Sequence, residues 1–153
     1  MHTDEVLLEN CELLMQAEWG KIWSCTPKFL TSECPQAMSV GDLYEKMSEN
    51  KAADFSALIQ VLAERGTTSS HKFRSEADGL WAIAIKGKQK QFYRFPCFRI
   101  KNNWIVVYGF TKERKNLWDQ KYIDWANKIR TKINREIEIK NEQFETKTRR
   151  NKK

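Results

Sequence analysis

Three β-type runs in quick succession, Leu80–Lys86, Gln91–Ile100 and Trp104–Phe110, constrain this chain more than any other feature. Each is rich in Ile, Val, Phe, Tyr or Trp, residues that suit a pleated, half-buried surface. The connecting segments, Gly87-Lys88-Gln89-Lys90 and Lys101-Asn102-Asn103, are only four and three residues long. A parallel crossover needs a dozen residues or more, so the runs form an antiparallel three-strand meander. Pro96 falls inside the middle run and cannot donate to a strand ladder, which points to a bulge there or a shorter second strand.

Helical periodicity flanks this meander. After Thr111 the apolar residues Trp118, Tyr122, Trp125, Ile129, Ile133 and Ile137 recur every three or four positions, the stripe of one long helix that packs on the sheet through its first half. Before the meander, Phe55, Leu58, Ile59 and Leu62 mark a helix from about Ala52 to Arg65, with Gly66 as its stop. Ser39 and Asp42 cap a shorter helix carrying Leu43, Tyr44 and Met47. Residues 4–18 read as an amphipathic helix on Leu7, Leu8, Cys11, Leu14 and Met15, and Trp19, Ile22 and Trp23 continue it as a bent helix or a short strand. The expectation is an α+β fold: N-terminal helices, a small antiparallel sheet with room for one more N-terminal strand, and a long C-terminal helix.

With 153 residues and 41% hydrophobic content, the chain has the material for one packed domain and an extra arm. The expected organisation is an N-terminal helical and loop extension over 1–50, a core over 51–126, a C-terminal helix extension over 127–145, and a disordered basic tail over 146–153. No run approaches the ~20 apolar residues that a membrane span requires. The acidic start, Asp4-Glu5, lacks the pattern of an export signal, so a cytoplasmic protein with no membrane partner is expected. Cys11, Cys25, Cys34 and Cys97 lie 14, 9 and 63 residues apart and form no closely spaced ligand pairs. They read as buried free thiols, with no metal and no cofactor.

Charge divides the chain. Residues 1–85 carry 7 Lys/Arg against 13 Asp/Glu, a net of −6, and residues 86–153 carry 20 against 7, a net of +13. A block this basic attracts polyanions, RNA among them.

The order of short motifs within the meander carries a resemblance. Ala77-Asp78-Gly79-Leu80-Trp81 opens the first strand, Tyr93-Arg94-Phe95 sits in the second, and Trp104-Ile105-Val106-Val107-Tyr108-Gly109-Phe110-Thr111-Lys112 makes the third. At these spacings the run resembles the phage-derived HigB-like branch of the RelE/ParE toxin superfamily, whose members carry "DGLWELR", "YRI/YRV" and "IVLLHGFxKK" segments in this order. The likeness covers roughly residues 52–126. Where those relatives carry Glu and Arg in the first segment, this chain has Ala82 and Ala84, and Glu113 stands for the second lysine of the third.

The resemblance implies a RelE-like fold and the toxin of a type II toxin–antitoxin pair: a metal-independent endoribonuclease acting on messenger RNA, on the ribosome in many relatives. It also implies an antitoxin partner, often a helix-turn-helix protein. Such cleavage needs cations around the phosphate and a group that moves the proton of the 2′-hydroxyl. Arg94 and Lys112 match motif positions. Lys86, two residues from Ala84 and therefore on its face, stands in for the missing arginine. Arg114 is a further cation, and Tyr93 is the phenol nearest the motif, with Tyr108 as a second one. Lys88, Lys90 and Lys115 are expected to add RNA contacts. Three alternatives compete. The same fold binds nucleic acid or a protein partner without cutting, because Ala82 and Ala84 replace charges. A free ridge of Ile129, Ile133 and Ile137 docks a partner or forms a homodimer. The acidic first helix folds over the basic surface as a brake.

Overall fold

The structure is a computed structural model and describes residues 2–69, 71–113 and 118–151. Five helices and seven strands follow in the order α1 (Thr3–Asn10), β1 (Cys11–Gln16), β2 (Lys21–Cys25), α2 (Pro27–Glu33), α3 (Val40–Lys46), α4 (Glu49–Arg65), β3 (Phe73–Ser75), β4 (Trp81–Lys86), β5 (Gln91–Ile100), β6 (Asn103–Val106), β7 (Phe110–Glu113) and α5 (Gln120–Asn151). The fold is α+β, with the meander at its centre and a long C-terminal helix, as the periodicities indicate.

The sheet is larger than three strands and not wholly antiparallel. Its order is β1-β2-β6-β5-β4-β3, with β7 pairing β5. The parallel pair is β2 with β6, matching Lys21 to Asn103 and Ser24 to Val106. Three helices and three strands lie between those two in sequence, ample length for a parallel connection. The third β-type run divides into β6 and β7, both paired with β5 on the edge opposite β4. The division falls beside Pro96, whose carbonyl accepts from Val107 N–H at 2.9 Å. In a strand, a residue's N–H and C=O point to the same side. The missing N–H of Pro96 therefore faces the gap between β6 and β7, where no ladder bond is lost.

The reading of residues 4–18 as one helix is corrected. The helix ends at Asn10, whose side chain donates back to Val6 O at 2.9 Å and to Glu136 Oε2 at 2.7 Å. Beyond it the chain turns into β1, which pairs β2 from Cys11↔Cys25 to Gln16↔Lys21. The helix-like spacing of Cys11, Leu14 and Met15 yields to the pairing with β2, a tertiary contact that local propensity does not see. The hairpin that joins β1 and β2 needs glycine at Gly20, where a Cβ would sit 2.0 Å from Asn102 O.

Local signals hold elsewhere. Ser39 Oγ accepts from Asp42 N at 3.1 Å to start α3, and Ser48 does the same for Lys51 at 3.4 Å to start α4. Gly66 closes α4 in the left-handed region, φ 77°.

Helices cover both faces of the sheet. On one, Phe55, Leu58, Ile59 and Leu62 of α4 pack with Ile83, Ile85, Phe95 and Cys97. On the other, Ala126, Ile129, Ile133 and Ile137 of α5 pack with Val6, Leu7, Trp23, Phe98 and Ile105. Burying each such aliphatic side chain contributes about 1.5–3 kcal/mol. The isoleucine ridge is therefore not free: Ile129 and Ile133 are 0% exposed and Ile137 is 9%. That removes the premise of a dimer built on this ridge, because α1 and the sheet already occupy it.

Two further expectations change. The helix continues through Asn151, so 146–151 is helical rather than disordered. The stretch after Ile139 holds no Pro or Gly and many Glu, Lys, Gln and Arg, so each added residue extends an already nucleated helix at little cost. The acidic α1 lies on α5 rather than over the basic strands, with Lys140 paired to Glu5 and Glu9. Asp4 is held by Lys21 at 2.7 Å. All four cysteines are free and buried. Burial pushes the Cys97 thiol up, and the neighbouring Cys11 thiol, with burial, does so for Cys25, which suits inert core thiols. Among the described residues no helix is long and apolar enough to cross a membrane.

Candidate phosphate-binding cavity

Strand register sorts the candidate residues into two faces. Ala84 pairs Arg94, and Arg94 pairs Phe110; in the next row, Lys86 pairs Phe92, and Phe92 pairs Lys112. Alternate residues share a face, so Lys86, Arg94 and Lys112 lie together on the α5 side of the sheet. The row on the other side, Arg74↔Ala82↔Pro96, adds Arg74 to the same face. Tyr93 pairs Ile85 and Thr111 and belongs to the opposite face, half-buried against the α4 core. Its assignment beside Arg94 is corrected, since adjacent strand residues point apart. Tyr108 is fully buried, its hydroxyl donating to Tyr122 O, and burial pushes its phenol well up. It is a fixed donor, not a base.

Arg94 is the unusual member of the group. It is 2% exposed, yet among the described residues nothing accepts from its Nε or Nη1. Its guanidinium lies 5.2 Å from the Phe92 ring centroid, a cation–π contact that satisfies no N–H. Burial lowers its pKa, the Arg74 charge lowers it further, and Glu76 opposes them. Leaving buried donors unpaired costs about 1–3 kcal/mol, more when the group is charged. Lys112, in the adjoining row, also has its pKa lowered, by burial and then by Arg94, against the pull of Asp119 and Glu76.

Arg94 forms part of the wall of a cavity of about 440 Å³. Lys86 of β4 and Phe92 of β5 share that wall, as do Arg74 of β3, Lys51 and Asp54 of α4, and His71 and Lys72 from the approach to β3. Ala84, paired side by side with Arg94 on the neighbouring strand, also lines the cavity. Five Lys/Arg side chains and one carboxylate, Asp54, line the cavity, and Glu76 beside it pairs with Arg74 Nε at 3.3 Å. That arrangement suits a multiply charged anion, with Arg94 providing a planar fork for phosphate.

The cavity unites Lys86 and Arg94. Lys112 sits on the same face in the next row without lining the cavity. Lys88 and Lys90 are exposed in the β4–β5 turn, away from its walls. Arg114 and Lys115 lie outside the described residues. Lys51, Asp54, His71, Lys72 and Arg74 are contributors that the sequence reading did not select. Only Lys72-Phe73-Arg74 left a signal, a polar–apolar alternation too short to separate from a loop.

Comparison with protein-family models, with curated proteins and with solved structures finds no match for this chain.

Proposed function

We propose that this chain is a cytoplasmic RNA-binding protein that seats phosphates in the Arg94 cavity, and that it acts there as an endoribonuclease toxin of a toxin–antitoxin pair. The observation that carries the reading is the buried guanidinium of Arg94, whose Nε and Nη1 find no acceptor among the described residues, in a wall it shares with four further cations. A bound phosphate supplies the acceptors those donors lack. The basic second half of the chain adds long-range attraction for RNA.

His71 is the proton-transfer candidate, because its imidazole carries both a donor and an acceptor nitrogen and it lines the same cavity as the phosphate-binding cations. In the proposed step His71 takes the proton from a ribose 2′-hydroxyl. The 2′-oxygen bonds to the adjacent phosphorus while the P–O5′ bond breaks, and O5′ takes a proton from Lys86 or from water. The products are a 2′,3′-cyclic phosphate and a 5′-hydroxyl end. Arg94 and its neighbours stabilise the added negative charge on phosphorus. A helix-turn-helix antitoxin, as the resemblance implies, belongs to the same reading.

A second reading, binding without cleavage, is favoured by Ala82 and Ala84 at charged motif positions and by the absence of Tyr93 from this face. One assay separates the two. A labelled single-stranded RNA is mixed with wild type, Arg94→Met and His71→Ala, and both anisotropy and products are followed. Cleavage by wild type, with His71→Ala binding normally but cutting about 10²–10⁴-fold more slowly, supports the nuclease. Binding without products leaves the second reading, and no binding by wild type overturns both.

A further inference from the structure

Across β5 and β7 from the Arg94 cavity a second cleft of about 420 Å³ opens. Phe110 faces it from β7, directly paired with Arg94. Tyr122 and Trp125 of α5 supply the aromatic wall. Phe110 and Tyr122 stack at 3.8 Å with their planes 3° apart, and Trp125 stands edge-on to Tyr122 at 5.5 Å and 90°. Tyr108 behind them is fully buried and Phe110 is 5% exposed, while Tyr122 and Trp125 are half-buried against the same core and line the cleft. Lys121 holds its ammonium 5.1 Å from the Tyr122 ring and 5.8 Å from that of Trp125. Gln36 and Thr111, both exposed, bring an amide and a hydroxyl to the rim.

The cleft is held in shape by backbone. Gly109 N–H donates to Met38 O at 2.9 Å, tying the α2–α3 connection to the break between β6 and β7. A Cβ at Gly109 would sit 2.5 Å from the Leu43 Cδ2 and 3.0 Å from the Phe95 ring, so a larger residue would push those buried side chains aside. The Tyr108 hydroxyl donates to the Tyr122 carbonyl and fixes the first turn of α5.

We propose that this cleft seats one unpaired nucleobase of the RNA whose phosphates occupy the Arg94 cavity, which makes the substrate single-stranded. The proposal rests on the RNA reading given above. The base stacks against Tyr122 and Trp125, Gln36 and Thr111 meet its polar edge, and Lys121 meets its phosphate. Half-exposed aromatic rings beside a cation are the standard platform for single-stranded bases. The strands β4, β5 and β7 lie side by side, and Arg94 of the first cavity pairs directly with Phe110 of the cleft. A short single-stranded run reaches from one to the other. A duplex cannot use the cleft, because its bases remain paired and stacked.

The test compares a single-stranded oligoribonucleotide, a duplex of the same sequence, and inorganic polyphosphate of matched charge. Trp125→Leu is expected to weaken single-strand binding roughly ten-fold or more and to leave polyphosphate binding unchanged. Ala37→Trp, which fills the cleft from the half-exposed connection between α2 and α3, is expected to do the same if Trp125→Leu proves unstable on heating. Wild type should also prefer the single strand to the duplex. The proposal is overturned if both variants bind the single strand as wild type does, or if they weaken polyphosphate equally. If Arg94→Met weakens neither ligand, the phosphate reading itself fails, and the base subsite with it.

Discussion

Phe98 and Arg94 stand four residues apart on one strand and point to one face of the sheet, about 13 Å from each other. Around Phe98 the face is dry: Ala126, Ile129 and Ile133 of α5 close over it with Leu80 and Ile105, all fully buried or nearly so. Around Arg94 the same face is cationic, with Arg74, Lys86 and Lys112 about it and two guanidinium nitrogens without an acceptor among the described residues. Strand alternation fixes which side a residue takes, but the helix laid over that side decides what the side becomes. Where the isoleucine stripe reaches, burial stabilises the fold. Where it does not, the protein carries a buried charge with no hydrogen-bond acceptor among the described residues, which a polyanion can satisfy.

This contrast can be broken from either end. Ile133→Ala should have the largest effect, a loss of about 2–5 kcal/mol in urea denaturation, because a fully buried side chain leaves a void. The fraction that remains folded should bind RNA with wild-type affinity. Arg94→Met should move stability the other way, a gain of about 1–3 kcal/mol, since an apolar chain of similar length replaces a buried charge with no acceptor among the described residues. A loss of stability in that variant would mean that Arg94 has partners in the apo protein.

The smallest effect concerns Lys112. Burial and the Arg94 charge lower its pKa, so the folded state holds that proton more weakly than the unfolded chain. Its protonated form therefore costs stability at neutral pH, and the cost is relieved as pH rises through the lowered value. Removing the Arg94 charge should shift the Lys112 titration upward in NMR and shrink the alkaline gain in stability. An unchanged titration would separate the two side chains electrostatically.

Much of this architecture was legible in the sequence, for definable reasons. The β4–β5–β6 meander and the α5 stripe have strong periods of two and about 3.6, and short turns leave little choice of topology. The β1 strand was not legible, because Leu7, Cys11, Leu14 and Met15 also fit a helix and only pairing with β2 decides between them. The parallel β2–β6 pair joins residues some eighty positions apart, beyond any local pattern. Arg94 and Lys86 follow from motif and alternation, and the same parity places Tyr93 on the far face. The remaining wall of the cavity could not be read locally. Lys51 and Asp54 come from the start of α4 and His71 from the approach to an edge strand, and only tertiary packing brings them to Arg94.

Whether the buried Arg94 guanidinium holds phosphate is decided by titrating one single-stranded oligoribonucleotide into wild type and Arg94→Met over a series of salt concentrations. The variant should bind at least about ten-fold more weakly at low salt, as expected for losing charge-assisted hydrogen bonds. Its plot of log affinity against log salt should be shallower by about 0.7, the share of one phosphate contact on a single strand. Equal affinities and equal slopes would contradict the claim and leave the Arg94 cavity without a phosphate to hold.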